Sequence, residues 1–220
     1  SLCAAKFPAI VSRFREHHPQ VKLQITVGTP EELIRMMEHD QLDIIYILDA
    51  PRWSESWVKA MEVAEPVVFV ASPAFWAQKY AECEKNGTVK WSTKTVGQEE
   101  ISVRQITLDQ ILQEPFFLTE KNANYRQALD QHLASCRCCL SPVLEISDTA
   151  FIIQMLEQSR GLSFLPLFAV QKQIWEGTLA AVEVDDVEIS MYRQIFYHKN
   201  KFRTREMEQF ITFASEEENH

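Results

Sequence analysis

Helical and strand periodicities alternate from the first residues of this chain, and that alternation narrows the fold more than any other feature. Phe7, Ile10, Val11 and Phe14 recur at i, i+3, i+4 and i+7. The spacing predicts an amphipathic helix over about residues 3–17, ended by Pro19. Val21, Leu23, Ile25 and Val27 then alternate with Lys22, Gln24 and Thr26, the pattern of a strand with one polar face. At Thr29-Pro30-Glu31-Glu32 a helix should start: Thr29 is an N-cap, Pro30 suits the first helical position, and Glu32 completes a capping box. Leu42 to Leu48 is an apolar run typical of a buried strand. Helix, strand, helix, strand is half of an α/β layer.

The rest of the chain continues the alternation. Val63 to Ala71, Phe116 to Thr119, Val143 to Ile146, Leu162 to Leu165, Leu179 to Val184 and Ser190 to His198 read as strands. Leu108 to Leu112, Tyr125 to Ala134, a segment capped by Ser147 or Asp148, Phe168 to Glu176, and Arg203 to Phe213 read as helices. Gly161 is expected to close the third of those helical segments, the one capped by Ser147 or Asp148, as a left-handed C-terminal residue. Residues 72–103 are mostly polar and read as an elaborated surface segment, with a helix-like start at Phe75 to Tyr80. Glu216-Glu217-Glu218 reads as a solvated tail.

Composition excludes several function classes. The chain has 220 residues, enough for one large domain or two lobes. No apolar run reaches the roughly 18 to 20 residues of a membrane span. The net charge is −9, so the chain as a whole is a poor match to a phosphate backbone. Its five glycines write neither GxGxxG nor GxxxxGK[ST]. The odd count of five cysteines, with Cys136, Cys138 and Cys139 crowded together, is unlike a secreted disulfide framework. Reduced thiols and a cytoplasmic location are expected. The start, almost inside a helix and without an initiator Met, suggests a fragment of a longer protein.

Six phrases, in order and at matching spacing over nearly the whole chain, carry a family resemblance. They are Phe14 to Pro19 (FREHHP), Val27 to Leu33 (VGTPEEL), Gln41 to Ile45 (QLDII), Glu65 to Ala71 (EPVVFVA), Leu144 to Thr149 (LEISDT) and Arg160 to Pro166 (RGLSFLP). Together they resemble the effector-binding domain of LysR-type transcriptional regulators. The resemblance implies a two-lobed, type II periplasmic-binding-protein-like α/β fold, with two crossover strands joining the lobes and an effector in the cleft between them. Lobe I would hold residues 1–68 and 193–220, and lobe II residues 69–192. The family's N-terminal winged helix-turn-helix, and the strand that precedes the first helix of lobe I, are absent from these residues. The implied partners are a small, anionic effector and a second copy of the chain in a homodimer, with a tetramer open to the full-length protein. DNA would be reached only through the N-terminal domain. No membrane, cofactor or metal is implied. Two departures lie in lobe II: residues 77–103 are longer than the usual connection, and Ser159 stands where the family has its first glycine.

Candidate effector contacts follow from strand ends and from the resemblance. Thr29 follows a strand at a helix N-terminus, where a hydroxyl and N–H groups can hold an anion, and it also caps its own helix. Ser1 aligns with the start of the first helix. Thr119, Asn122 and Asn124 follow the Phe116 strand, beyond whose carboxyl end ligands bind in doubly wound sheets, although Asn-rich turns are also plain turns. Thr149 opens the next helix. Cys136, Cys138 and Cys139 lack the CxxC spacing of zinc and thioredoxin motifs. Peroxide-sensing members of the family carry a reactive Cys in the loop matching Glu120 to Tyr125, and none is here. His17 and His18 sit where an imidazole interacts with a helix dipole. No nucleophile elbow or other catalytic constellation is present, so no enzyme is expected. The alternatives are a stand-alone solute-binding protein of the same fold and, behind it, an enzyme on a related scaffold.

Overall fold

The computed structural model describes residues 2–86, 90–96, 99–158, 161–185, 187 and 189–217, with backbone alone at 4, 84, 90–96, 99–105 and 190. Ser1, the family departure at Ser159, and Glu218 lie outside the described residues. The elements run α1 (Leu2–His17), α2 (Pro30–Glu38), β1 (Ile45–Asp49), β2 (Trp57–Ala71), α3 (Pro73–Lys85), β3 (Lys90–Val96), β4 (Glu99–Ile106), α4 (Leu108–Ile111) and β5 (Phe117–Leu118). They continue α5 (Asn124–Ser135), β6 (Leu144–Glu145), α6 (Thr149–Gln158), β7 (Ser163–Pro166), α7 (Leu167–Trp175), β8 (Ala180–Val184), β9 (Ser190–His198) and α8 (Arg205–Glu217). Two compact units result: unit 1 is Ser1–Glu65 with Ser190–His220, and unit 2 is Pro66–Ile189.

Unit 1 is a small sheet clad on both faces. β1 pairs antiparallel with β9, Ile45 opposite Phe196 and Ile47 opposite Gln194, and β9 also neighbours β2. Side chains alternate across the sheet. Tyr46 and Ile195 join Ile10 and Phe14 of α1 and Phe213 of α8 in one core. Ile45, Ile47 and Phe196 join Met37 of α2 in the other. The run at 42–48 is apolar throughout because both its faces are covered.

The strand expected at Val21 to Val27 does not form. Val21 and Leu23 pack on the α1 core, but Ile25 and Val27 are 47% and 74% exposed and the segment joins no ladder. Strand pairing needs a neighbour about 4.8 Å away. Between residues 21–26 and 41–46 there is instead a groove of about 490 Å³, floored by Phe7, Phe14 and Phe210. Glu216 and Glu217 are not a loose tail: both lie in α8, and Glu216 pairs with Arg13 at 2.5 Å.

Unit 2 is built around β2. Its second half pairs antiparallel with β7, Val70 opposite Ser163, and with β8, Phe69 opposite Val182. The rings of Phe69 and Phe164 lie 4.8 Å apart. The segment read as irregular surface folds as helix α3 followed by the antiparallel β3–β4 ladder, which joins the sheet through β4 beside β8. Phe75, Trp76, Tyr80 and Cys83 bury the inner side of α3, so its apolar residues belong to the core. β5 and β6 are parallel, and Phe116 bridges to Leu162. Gly161 does not take the left-handed conformation expected of a helix-closing residue, for Gly177 is the described glycine with positive φ. Its constraint is space: a Cβ there would stand 2.6 Å from the Phe117 ring.

Candidate functional site

In unit 1 the chain around Thr29 folds as its sequence dictates. Thr29 Oγ1 accepts from the Glu32 N–H at 3.3 Å, and the Thr29 N–H donates to Glu32 Oε2 at 2.9 Å. The Thr29 backbone N–H first, and the Thr29 hydroxyl second, hold the Glu32 carboxyl below its ordinary value. The next loop is tied to the same helix end. Arg52 Nη2 donates to Glu31 Oε1 at 2.7 Å, and its Nε donates to the buried Asp49. Gln194, fully buried, accepts from the Arg52 N–H and donates to the Ala50 carbonyl, both at 3.0 Å. The first turn of α2 is therefore rigid and already carries its own carboxylates.

In unit 2 a denser polar cluster forms at the end of β5. Thr119 is 3% exposed, and its carbonyl accepts from Arg126 Nη1 at 3.1 Å. Arg126 is itself buried, and its Nε lies 2.9 and 3.0 Å from the two carboxylate oxygens of Asp130. This fixes the turn Glu120 to Ala123, closed by the Ala123 N–H to the Glu120 carbonyl at 3.0 Å. Asn122 sits exposed in that turn and Asn124 opens α5. The Tyr125 phenol, one residue further, has its pKa raised by burial first; the hydroxyls of Thr119 and Thr149 beside it oppose the shift, and Glu120 adds to it. Thr119 Oγ1 lies close enough to favour the phenolate, yet its geometry completes no hydrogen bond. Thr119 Oγ1 and Glu120 Oε2 are both sealed from solvent without a partner.

Of the sequence-derived candidates, Thr119 and Thr149 are brought together by Tyr125, with Asn122 and Asn124 on the adjoining turn and helix start. Thr29 belongs to the other unit. Glu120, Tyr125 and Arg126 were not singled out by sequence. Two signals in the sequence point to Tyr125 and Arg126. Tyr125, Leu129 and Leu133 recur at i, i+4 and i+8 and are all buried, and a phenol carried into a core needs a polar neighbour. Arg126 and Asp130 have i, i+4 spacing. At the far end of α5, Cys136 Sγ lies 3.9 Å from His132 Nε2. All five cysteines are free, and among the described residues no group of three His, Cys, Asp or Glu side chains is arranged to hold a metal. Also among the described residues, no helix is long and apolar enough to cross a membrane.

Comparison with known proteins agrees with this architecture. The LysR substrate binding domain profile matches residues 1–84 and 99–219. The HTH-type transcriptional activator CmpR of Synechocystis sp. is 21% identical over 194 residues, 88% of this chain and 56% of the relative. The HTH-type transcriptional regulator CbbR of Rhizobium meliloti is 24% identical over 209 residues, 94% of this chain and 59% of the relative. The chain thus spans little more than half the length of either. Among solved structures, the Synechocystis CcmR regulatory domain in complex with 2-PG superposes with a TM-score of 0.68 at 15% identity, covering 97% of this chain and 91% of that one. The effector binding domain of QuiR in complex with shikimate gives 0.64 at 11% identity, covering 98% and 91%. The fold is the type II periplasmic-binding-protein-like α/β architecture of regulatory, effector-binding domains. This chain belongs to the LysR substrate-binding-domain family.

Proposed function

We propose that the chain is the effector-sensing and self-associating part of a bacterial, cytoplasmic LysR-type transcription regulator, and that it catalyses no reaction. A small molecule binds the domain and favours one of its conformations. The bias passes to DNA-binding domains elsewhere in the full-length protein. A ligand shifts such an equilibrium only as far as it prefers one state over the other. The observation that carries this reading is the buried hydroxyl cluster of Thr119, Tyr125 and Thr149 at the start of α5, where polar groups converge beyond a strand end. Thr29 in unit 1, and Thr119, Asn122, Asn124 and Thr149 in unit 2, stand as the proposed contacts.

Calorimetry and thermal-shift screening against small carboxylates, amino acids and aromatic acids test it. Once a ligand is found, Thr119→Val should weaken it about fivefold or more, the cost of about 1 kcal/mol for a lost hydroxyl bond. Thr29→Val should change affinity by more than about twofold on the same scale. A screen in which nothing raises the melting temperature would count against the effector role.

Self-association is proposed through α1 against α6 of a second copy, made twice by a two-fold axis. Arg13 of α1 is engaged within unit 1 by Glu216 and by the Phe213 ring, 4.3 Å away. Ala5, Pro8, Ala9 and Ser12 are the exposed residues beside it on α1. On α6, Phe151, Gln154, Glu157 and Gln158 face outward. Sedimentation equilibrium at micromolar concentration should show a dimer, and Ala9→Glu should shift it toward monomer.

A further inference from the structure

Cys136, Cys138 and Cys139 stand at the far end of α5, away from the proposed effector contacts. Of the five free cysteines, Cys83 is buried and Cys3 half-buried, whereas Cys136 and Cys139 are exposed and Cys138 is half-buried. The turn that carries them is held by its own hydrogen bonds. The Arg137 N–H donates to the Ala134 carbonyl at 3.0 Å and the Cys138 N–H to the Leu133 carbonyl at 2.8 Å, with Arg137 left-handed at φ 60°. That pair of bonds around a left-handed residue is the Schellman ending of a helix, taken here without a glycine. It folds the chain back over the helix end, where the Cys138 thiol donates to the Cys136 carbonyl at 3.5 Å. Two thiols separated by one residue are thus held together on the surface.

A base stands beside the first of them. His132 precedes Cys136 by one helical turn, and its Nε2 lies 3.9 Å from Cys136 Sγ. Ser135 Oγ lies 3.8 Å from the same sulfur, but its hydroxyl donates to the His132 carbonyl at 2.6 Å. The thiolate is the reacting form of a cysteine. The carbonyl end of a helix lends a developing negative charge no support, so the imidazole has to receive the proton.

We propose that Cys136 and Cys138 form a reversible modification site for low-molecular-weight disulfides, with Cys136 attacking and Cys138 resolving. The Cys136 proton passes to His132 Nε2 as Sγ attacks one sulfur of the small disulfide. That S–S bond breaks, and the departing thiolate takes the proton back and leaves as a thiol. Cys138 then attacks the Cys136 sulfur of the mixed disulfide, its proton goes to the second leaving thiolate, and the ring closes. The protein dithiol is oxidised by two electrons, and the small disulfide is reduced to two thiols. A ring closed over a single residue departs from relaxed disulfide geometry, which makes the bond easy to reduce again. The site is independent of the effector-binding reading.

The test incubates the 220-residue chain with glutathione disulfide, blocks the remaining thiols with iodoacetamide, and maps the products by mass spectrometry after trypsin. Arg137 lies between the two cysteines, so cleavage after it makes a Cys136–Cys138 bond link two peptides, whereas a Cys138–Cys139 bond stays within one. The linked pair should form, persist in Cys139→Ser and vanish in Cys136→Ser and in Cys138→Ser. His132→Ala should slow the reaction of Cys136 by about tenfold or more, with the alkylation rate of Cys139 and the melting temperature unchanged. Excess reduced glutathione should reopen the bond. No reaction, a mixed disulfide on Cys136 that never closes, a bond confined to Cys138 and Cys139, loss of the linked pair in Cys139→Ser, or a Cys136 rate indifferent to His132→Ala would each overturn the inference.

Discussion

Arg193 Nε stands 2.8 Å from Glu65 Oε2, with the two side chains 9% and 2% exposed. They lie on neighbouring strands, β9 and β2, in unit 1. Removing one partner of a buried ion pair leaves the other charge in a medium that solvates it poorly. Glu65→Ala is therefore expected to cost about 3 kcal/mol. Replacing both residues with methionines should recover most of that loss. Urea denaturation of the two variants checks both outcomes, and a single-variant loss below about 1 kcal/mol would show that the pair is solvated.

Gly161 and Gly28 make a matched comparison. A Cβ at Gly161 would be 2.6 and 2.7 Å from two atoms of the Phe117 ring, which is 7% exposed and held in the core. A Cβ at Gly28 would meet the far end of Glu32 at 3.0 Å, and that side chain can turn away. Overpacking a rigid site costs about 1–3 kcal/mol. Gly161→Ala should lie in that range, and Gly28→Ala should be the milder change. Thermal melts of the two variants side by side would reveal a reversal of this order.

The capping box of α2 makes a statement about acid. Thr29 holds the Glu32 carboxyl below its ordinary value, so the folded state favours the ionised form. That contribution is present above the ordinary carboxylate pKa and is lost as pH falls through the lowered folded value. Thr29→Ala should lower stability by about 1 kcal/mol at neutral pH. It should also flatten the dependence of stability on pH on the acid side in part, since alanine loses the hydroxyl but keeps the backbone N–H that is the larger cause. Unfolding free energies measured from pH 7 down to pH 3 would show whether the variant and parent curves converge.

Two tyrosines should titrate late. Burial, before any other cause, raises the phenols of Tyr46 and Tyr125 above their ordinary value near 10. Neutral phenol in the fold and phenolate in the unfolded chain mean that stability is complete below about pH 10 and declines as pH rises beyond it. Of the five tyrosines, these two should ionise only as the domain unfolds. Absorbance at alkaline pH, followed together with circular dichroism, separates the two events. Tyr125→Phe should remove one of the late phenols and soften the alkaline loss.

Legibility of the site in the sequence followed the range of the forces involved. Thr29, Pro30 and Glu32 interact within one turn of chain, so the cap was readable as text. Thr119, Tyr125 and Thr149 meet because a strand end and two helix starts converge, and no local pattern announces Tyr125 as the link. Glu120 looked like one more polar loop residue. What distinguishes it is a carboxylate oxygen closed off from water, a property of packing alone.

By itself the sequence determined the order of helices and strands, because period-3.6 and period-2 patterns and caps act over a few residues. The six ordered phrases carried the family with it. The tertiary structure decided which patterns found partners. Val21 to Val27 alternates as a strand should, yet a strand exists only with a neighbour to bond, and there the chain meets a groove. The polar stretch after Ser72 became a helix and a hairpin because α3 could bury Phe75, Trp76 and Tyr80 and β4 could pair with β8. Gly161 was placed by its spacing but required by the ring of Phe117, 44 residues earlier in the chain, since steric exclusion depends on what arrives in space and not on what stands next in the chain.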